Sequence, residues 1–327
     1  MTIQYRGGAR LPGPLGIGSW DSSLPVPGAR LPGPIGNQLW DKNSVTPSQT
    51  PSTKAAKTTM MPVPTKGLTG EAPDKDVHAI TLPLFNGSEP RLEDVQQAPG
   101  IANCPVAAML AAFAFTPTGR TFLQRILGET AATVATDVSR AKGTDIKGRA
   151  VDILSNPPPK YQLTSARFFT VKVADGPFEV SDVLYTNDSD SNWGVYYLRD
   201  PAGKCIWASV IEKALAVRLD YSYENFDARN LSANDFWKML TSFAPAVITI
   251  DDKTTLAEIS DRADASTRIP TVAASKDETS LVTPFHGFAM MGRIGPKIQL
   301  YDPAKAKPFL ITPIDFRKAF KNILYRK

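Results

Sequence analysis

From about residue 76 onward, apolar residues recur with the periods of packed secondary structure. Trp207, Val210, Ile211, Ala214 and Leu215 fall on one face at a 3.6-residue spacing, which predicts a helix over about 206–218. The apolar, alanine-rich "CPVAAMLAAFAF" predicts a helix over roughly 104–116, with Pro105 in the first turn where its missing N–H costs nothing. A second helix is predicted over 120–127. Another follows "SAND", with Ser232 as N-cap and Asp235 three residues on, and a last one follows Pro313. Strand-like runs are "ARFFTVKV" (166–173), "WGVYYL" (193–198), "AVITI" (246–250), "GFAMMGRI" (287–294), "KIQLYD" (297–302) and "PFLIT" (308–312). Helices dominate early and antiparallel strands late. That segregation predicts an α+β fold and not a doubly wound parallel sheet.

The first 75 residues carry no such periodicity. They hold 11 of the 28 prolines, with much Gly, Ser, Thr and Lys. Such a segment buries too little apolar surface to offset ordering entropy, so disorder is expected over 1–75 and a folded domain over 76–327. Within it, "GARLPGPLGIGSWD" (8–21) and "GARLPGPIGNQLWD" (28–41) are identical at 10 of 14 positions, and Trp20 and Trp40 fall at matching places. Drifted low-complexity sequence, or a tail packed on the main domain, would account for the repeat. A short recognition element used twice would too, with each Trp as an anchor and duplication giving avidity. Residues 42–74 read as a linker, whose lysines offer a site for autoprocessing.

Composition narrows the chemistry. The formal net charge of +5 is spread among acidic residues, and no nucleic-acid-binding motif is present, so nucleic acid is not expected as a partner. There is no apolar run long enough for a membrane span and no secretory leader, so export, if any, is expected to be signal-peptide-independent. With two cysteines and two histidines, a Cys/His zinc site is excluded. A Cys104–Cys205 disulfide is one open pairing; a reducing compartment is the default for so few cysteines.

Cys104 stands at the start of the predicted alanine-rich helix. It reads either as a buried small hydrophobe or as a nucleophile whose thiolate the helix N-terminus favours. A thiol nucleophile needs a base, and a third polar group must orient that base. His286 opens one strand-like run and Asp302 ends the next. A hairpin through "GRIGPK" brings them to the same end. Taken singly, His286 is a satisfied histidine and Asp302 a turn residue; together with Cys104 they form a Cys-His-Asp order. An oxyanion donor is expected just upstream of the cysteine, where "VQQAPGIANC" offers Gln96 and Gln97, with Gln97 preferred.

"QAPGIANCPVAAMLAAFA" resembles the "QGxxGDCWLLAAxA" segment of the calpain family of papain-like cysteine proteases. "KCIWASVIEKALAVRLDYSYENF" (204–226) resembles that family's "FWxxLLEKAYAKxxGSYExL", with Trp207, Glu212, Lys213, Ala214, Ala216, Ser222, Tyr223 and Glu224 matching. "HGFAMMG…QLYDP" resembles "HAYSVxG…LRNPWG". The resemblance implies a papain-like fold and a thiol endopeptidase acting on a protein substrate. It implies Cys104 as nucleophile, His286 as base and then acid, Asp302 as orienter and Gln97 as oxyanion donor. Four positions depart from the pattern: Pro105 replaces Trp, the glutamine lies seven residues before the cysteine instead of six, Asp302 replaces Asn, and Ala304 replaces Trp. Proteases of the bacterial effector type use aspartate in the third place. No "DxDxDG" loop is present, so no cofactor is expected, with calcium left open by the family. The repeats suggest a bacterial toxin or effector made in the cytoplasm and delivered to a target cell. The expected partners are a secretion-machine component and an immunity or inhibitor protein. The alternatives are other Cys-His amide chemistry (deamidation, transglutamination or peptidoglycan amide hydrolysis) and a non-catalytic binding module on a protease fold.

Overall fold

The computed structural model describes residues 76–98, 101–134, 142–144, 150–152, 166–186, 197–219, 223, 226 and 231–326. All of these lie in the unit that spans Ala56–Lys327. The expected disordered region, its repeats, Trp20 and Trp40 fall outside the described residues.

The elements run β1 (Asp76–Ala79), α1 (Cys104–Phe115), α2 (Pro117–Ile126), β2 (Leu127–Val134), β3 (Lys142–Thr144), β4 (Ala150–Asp152), β5 (Ala166–Val173), β6 (Gly176–Ser181) and β7 (Val183–Thr186). They continue α3 (Trp207–Arg218), α4 (Ala233–Thr241), β8 (Ala246–Thr249), α5 (Leu256–Ala265), β9 (Thr271–Ser275), β10 (Gly287–Ile294), β11 (Lys297–Asp302), β12 (Lys307–Ile311), α6 (Pro313–Ala319) and β13 (Phe320–Tyr325). The fold is α+β, and every strand pairing described is antiparallel. The expected segregation is only partial. A three-stranded sheet in the order β2-β5-β6 lies between the early helices and α3, while the large sheet, in the order β12-β11-β10-β9-β13-β8, belongs to the later chain. Of "WGVYYL", Tyr197 and Leu198 are buried bends and not strand, and the rest lies outside the described residues.

Helix α1 is apolar on every face, and a helix of that kind must be enclosed. Cys104 through Ala114 are all buried, and α1 packs on α2, α4 and strands β9 and β10. Its core is shared with α3, whose Trp207, Val210, Ile211, Ala214 and Leu215 are buried as the spacing predicts. A second cluster lies between the large sheet and α5 and α6, built on Phe288, Leu300, Phe316, Phe320 and Ile323. Among the described residues, no single helix is long and apolar enough to cross a membrane.

Two local features set the site's geometry. The β10–β11 hairpin turns through Gly295–Pro296, with Gly295 at φ +59°, a conformation that costs glycine little. Its register pairs Ala289 with Tyr301, which brings His286 level with the turn that follows Asp302. Gly287, next to His286, passes close to α1: a Cβ there would lie 3.1 Å from both the Cys104 carbonyl oxygen and Ala108 Cβ. The strand carrying the histidine therefore meets the helix carrying the cysteine at backbone distance.

Candidate active site

Cys104 is the first residue of α1, followed by Pro105 and preceded by Asn103 as N-cap. The helix dipole places partial positive charge at this end. His286 lies just before β10. Its backbone N–H donates to Ser275 Oγ at 2.8 Å, and its carbonyl accepts from Ser275 N at 2.9 Å, so β9 fixes the histidine's main chain. Phe285, immediately before it, sits at φ +49°, where a non-glycine residue is strained. Phe288 packs its ring edge-on to the imidazole at 4.8 Å.

His286 Nε2 lies 3.1 Å from Asp302 Oδ1, and both side chains are buried. With Nε2 committed to the carboxylate, Nδ1 is the ring nitrogen left for the thiol; Cys104 is close enough to raise the ring's hold on its proton, and its Sγ lies 4.0 Å from the Phe285 carbonyl oxygen. Burial opposes charge on this ring. The hydrogen bonds and charges of Asp302 and Cys104 outweigh it, and His286 is raised from 6.5 to about 9. Burial likewise pushes Asp302 up, but His286 and Lys305 outweigh it and hold the carboxyl below its ordinary value. Asp302 Oδ1 also accepts from Ala304 N at 3.0 Å, and Oδ2 faces Lys305 Nζ at 3.2 Å. An aspartate in this turn is thus kept ionised and aimed at the ring. Where the resemblance has a tryptophan, the chain offers the Ala304 N–H and the Lys305 ammonium instead.

The leader into α1 is tied to the same turn. Gln97 N donates to the Pro303 carbonyl at 2.9 Å, and Tyr301 Oη donates to the Val95 carbonyl at 2.8 Å. The two glutamines separate cleanly. Gln96 pairs with Arg199 through its backbone, and its Oε1 accepts from Arg199 Nε at 3.2 Å, which makes it a bridge to another segment. Gln97 is buried and turns its amide nitrogen onto the Ile101 carbonyl, three residues before the nucleophile, while its Oε1 has no partner. The amide keeps a second N–H beyond the one given to Ile101.

Cys104 and Cys205 are both free, so the disulfide is not formed. Cys205 Sγ lies 3.7 Å from Asp200 Oδ2 in a buried group with Asp94. The two carboxylates of this group accept from Trp207 Nε1, Arg91 N, Ala202 N and Lys204 N at 2.7–2.9 Å. Those donors close two turns onto α3 and account for the buried carboxylates without an ion. Burial, ahead of the two carboxylates, pushes the Cys205 thiol far above the usual cysteine range, which keeps it protonated at neutral pH.

A cavity of about 300 Å³ abuts the far side of the pair, lined by Asp302, Phe288, Val282, Phe309, Lys305 and Lys307 among others. A roomier hollow of about 540 Å³, around Asp251, Glu258 and Arg262, is lined by none of Cys104, His286 and Asp302, so the smaller cavity is the one beside the His286–Asp302 pair.

Sequence reasoning named Glu212 only as part of the resemblance and did not pair it with Asn103, the residue before Cys104. Asn103 and Glu212 are fully enclosed and 2.5 Å apart. Lys213 is enclosed beside them, with Nζ donating to Ser181 O, Ser181 Oγ and Val183 O at 2.7–2.9 Å. The signal was present in "EK", a charged pair set in an otherwise apolar helix.

No family model matches the chain, and no curated protein matches it.

Proposed function

We propose that this chain is a cysteine endopeptidase of papain-like architecture, related to the calpain catalytic core and acting through Cys104, His286 and Asp302. The observation that carries the reading is a buried imidazole bonded to an ionised carboxylate, on a strand that meets the cysteine-bearing helix N-terminus at backbone distance. A histidine held near 9 stays protonated at neutral pH, which supplies the leaving amine with a proton donor.

The thiolate attacks the scissile carbonyl carbon, forming the C–S bond and moving the carbonyl electrons onto oxygen. The Cys104 backbone N–H and the second N–H of Gln97 stabilise that oxyanion. The imidazolium gives its Nδ1 proton to the departing amine as the C–N bond breaks. Water, deprotonated by the neutral ring, then hydrolyses the thioester and frees the thiolate. Asp302 holds the ring's tautomer throughout and keeps its charge.

The test is cleavage of unfolded, fluorescently labelled casein by wild type and Cys104→Ala, each with calcium and with chelator. Cysteine-dependent cleavage is expected, and the chelator arm decides whether calcium is required. A folded wild type that cleaves no polypeptide under any condition overturns the endopeptidase reading and turns attention to other Cys-His amide chemistry. Delivery as an effector, with Trp20 and Trp40 as recognition anchors for a secretion component, belongs to the same proposal. It fails if deleting residues 1–45 leaves export unchanged.

A further inference from the structure

The chain's nucleophile is preceded by a residue that does no capping. Asn103 is the N-cap of α1, yet its side chain makes no bond to the helix. It reaches instead across the core to Glu212 on α3, at 2.5 Å. Glu212 Oε2 accepts from Leu198 N at 2.9 Å, and Ser209, one turn earlier on α3, donates to the Leu198 carbonyl at 2.6 Å. Helix α3 thus grips both sides of the Leu198 residue and offers one remaining oxygen to the residue before Cys104.

Among the described residues, no cation neutralises that oxygen. Lys213, the adjacent residue, is directed to Ser181 and Val183, with Asp182 as its nearby charge. The other titratable group facing Glu212 is the buried Tyr223 hydroxyl. An ionised carboxylate without a partner in a fully enclosed site is costly by several kcal/mol. Burial raises Glu212 to about 8, despite hydrogen bonds from Leu198 and Asn103 that favour its charge. Asn103 Nδ2 and Glu212 Oε1 stand 2.5 Å apart, short for N–H···O, while Asn103 Oδ1 has no partner; turning the amide over sets the oxygen there, at a separation that suits O–H···O.

We propose that Glu212 is a positioning residue: as an uncharged acid it anchors Asn103 to α3 and so fixes the backbone from which Cys104 projects toward His286. It rests on the thiol reading above. With the Asn103 amide turned over, Glu212's carbonyl oxygen accepts from Leu198 N and its O–H donates to Asn103 Oδ1, which otherwise has no partner. Glutamine reproduces this arrangement, with N–H in place of O–H, whereas leucine removes it.

The experiment is the rate of Cys104 alkylation by iodoacetamide at neutral pH in the full chain, resolved from Cys205 by peptide mass analysis. Glu212→Gln is expected to alkylate within about two-fold of wild type, and Glu212→Leu roughly ten-fold or more slowly. Casein turnover is expected to show the same split in kcat with little change in KM. Leucine leaves Asn103 unpaired, so the double variant Asn103→Ala/Glu212→Leu, which removes both polar partners, serves if the single one does not fold. A folded leucine or double variant alkylating at the wild-type rate overturns the proposal. So does a folded Glu212→Gln as slow as Glu212→Leu, which would mean that the charge is required. If wild type cleaves no casein while the alkylation split holds, the protease reading fails and the positioning role stands.

Discussion

Replacing Asp302 by asparagine keeps the shape of the orienting group and removes its charge. The raised value of His286, about 9 against 6.5, corresponds to roughly 3 kcal/mol of preference for imidazolium. Burial works against that preference, so Asp302 and Cys104 together supply more than this amount. An amide oxygen can still accept from Nε2, but the buried ring then has only Cys104 in its favour. In Asp302→Asn, His286 is expected to titrate roughly one to two pH units lower. The chain has only two histidines, so ring-carbon NMR across about pH 5 to 10 resolves them, with His78→Gln giving the assignment. The same change is visible in stability. A group whose folded value lies above its unfolded one contributes fully below pH 6.5 and loses that contribution as pH rises through 9. Wild type should therefore lose roughly 3 kcal/mol from this group across that window in urea titrations, and the variant much less. A His286 midpoint left near 9 in the variant would refute Asp302 as the charge behind the imidazolium.

Gly287→Ala forces a methyl to 3.1 Å from the Cys104 carbonyl oxygen; it is expected to destabilise by roughly 1–3 kcal/mol and to slow Cys104 alkylation, and an unchanged rate would contradict the close approach. Phe285→Gly relieves a left-handed φ worth roughly 1–2 kcal/mol, set against glycine's entropy and a lost contact with Lys321, so the urea midpoint should rise slightly; a clear drop would show that the strain is not there. Lys213→Met leaves Ser181 and Val183 acceptors unpaired in the core and is expected to cost about 2–4 kcal/mol by thermal or urea unfolding; a neutral outcome would mean the ammonium is not their partner.

Much of the framework was legible because local signals agreed with tertiary demand. The hairpin of β10 and β11 appears where alternation and "GRIGPK" put it, and Ser232 caps α4 with Asp235 returning the bond. Strand β9, "TVAAS", gave no such signal. Alanine favours helices in isolation, and only its place between β10 and β13 makes it strand. Helix α5 carried its signature openly, Thr255 and Glu258 forming a reciprocal cap, but its short amphipathic run is easily passed over. For the site, spacing alone could order Cys104, His286 and Asp302. It could not decide between Gln96 and Gln97, because that depends on Arg199 and Ile101 reaching the loop from different directions. Nor could it pair Asn103 with Glu212, which lies 109 residues away and meets it only through packing.

Cys104 and His286, nucleophile and base in the proposed reaction, lie far apart in the order of synthesis. Cys104 leaves the ribosome about 180 residues before His286, and the early helices can begin to pack as they emerge. The strand that aims His286 pairs with β9, and β9 gains its other neighbour only when Phe320–Tyr325 is made and slips in beside it. On the thiol reading, about 180 residues of synthesis separate the sulfur from the imidazole that would act on it, and chains arrested before residue 302 should leave casein intact.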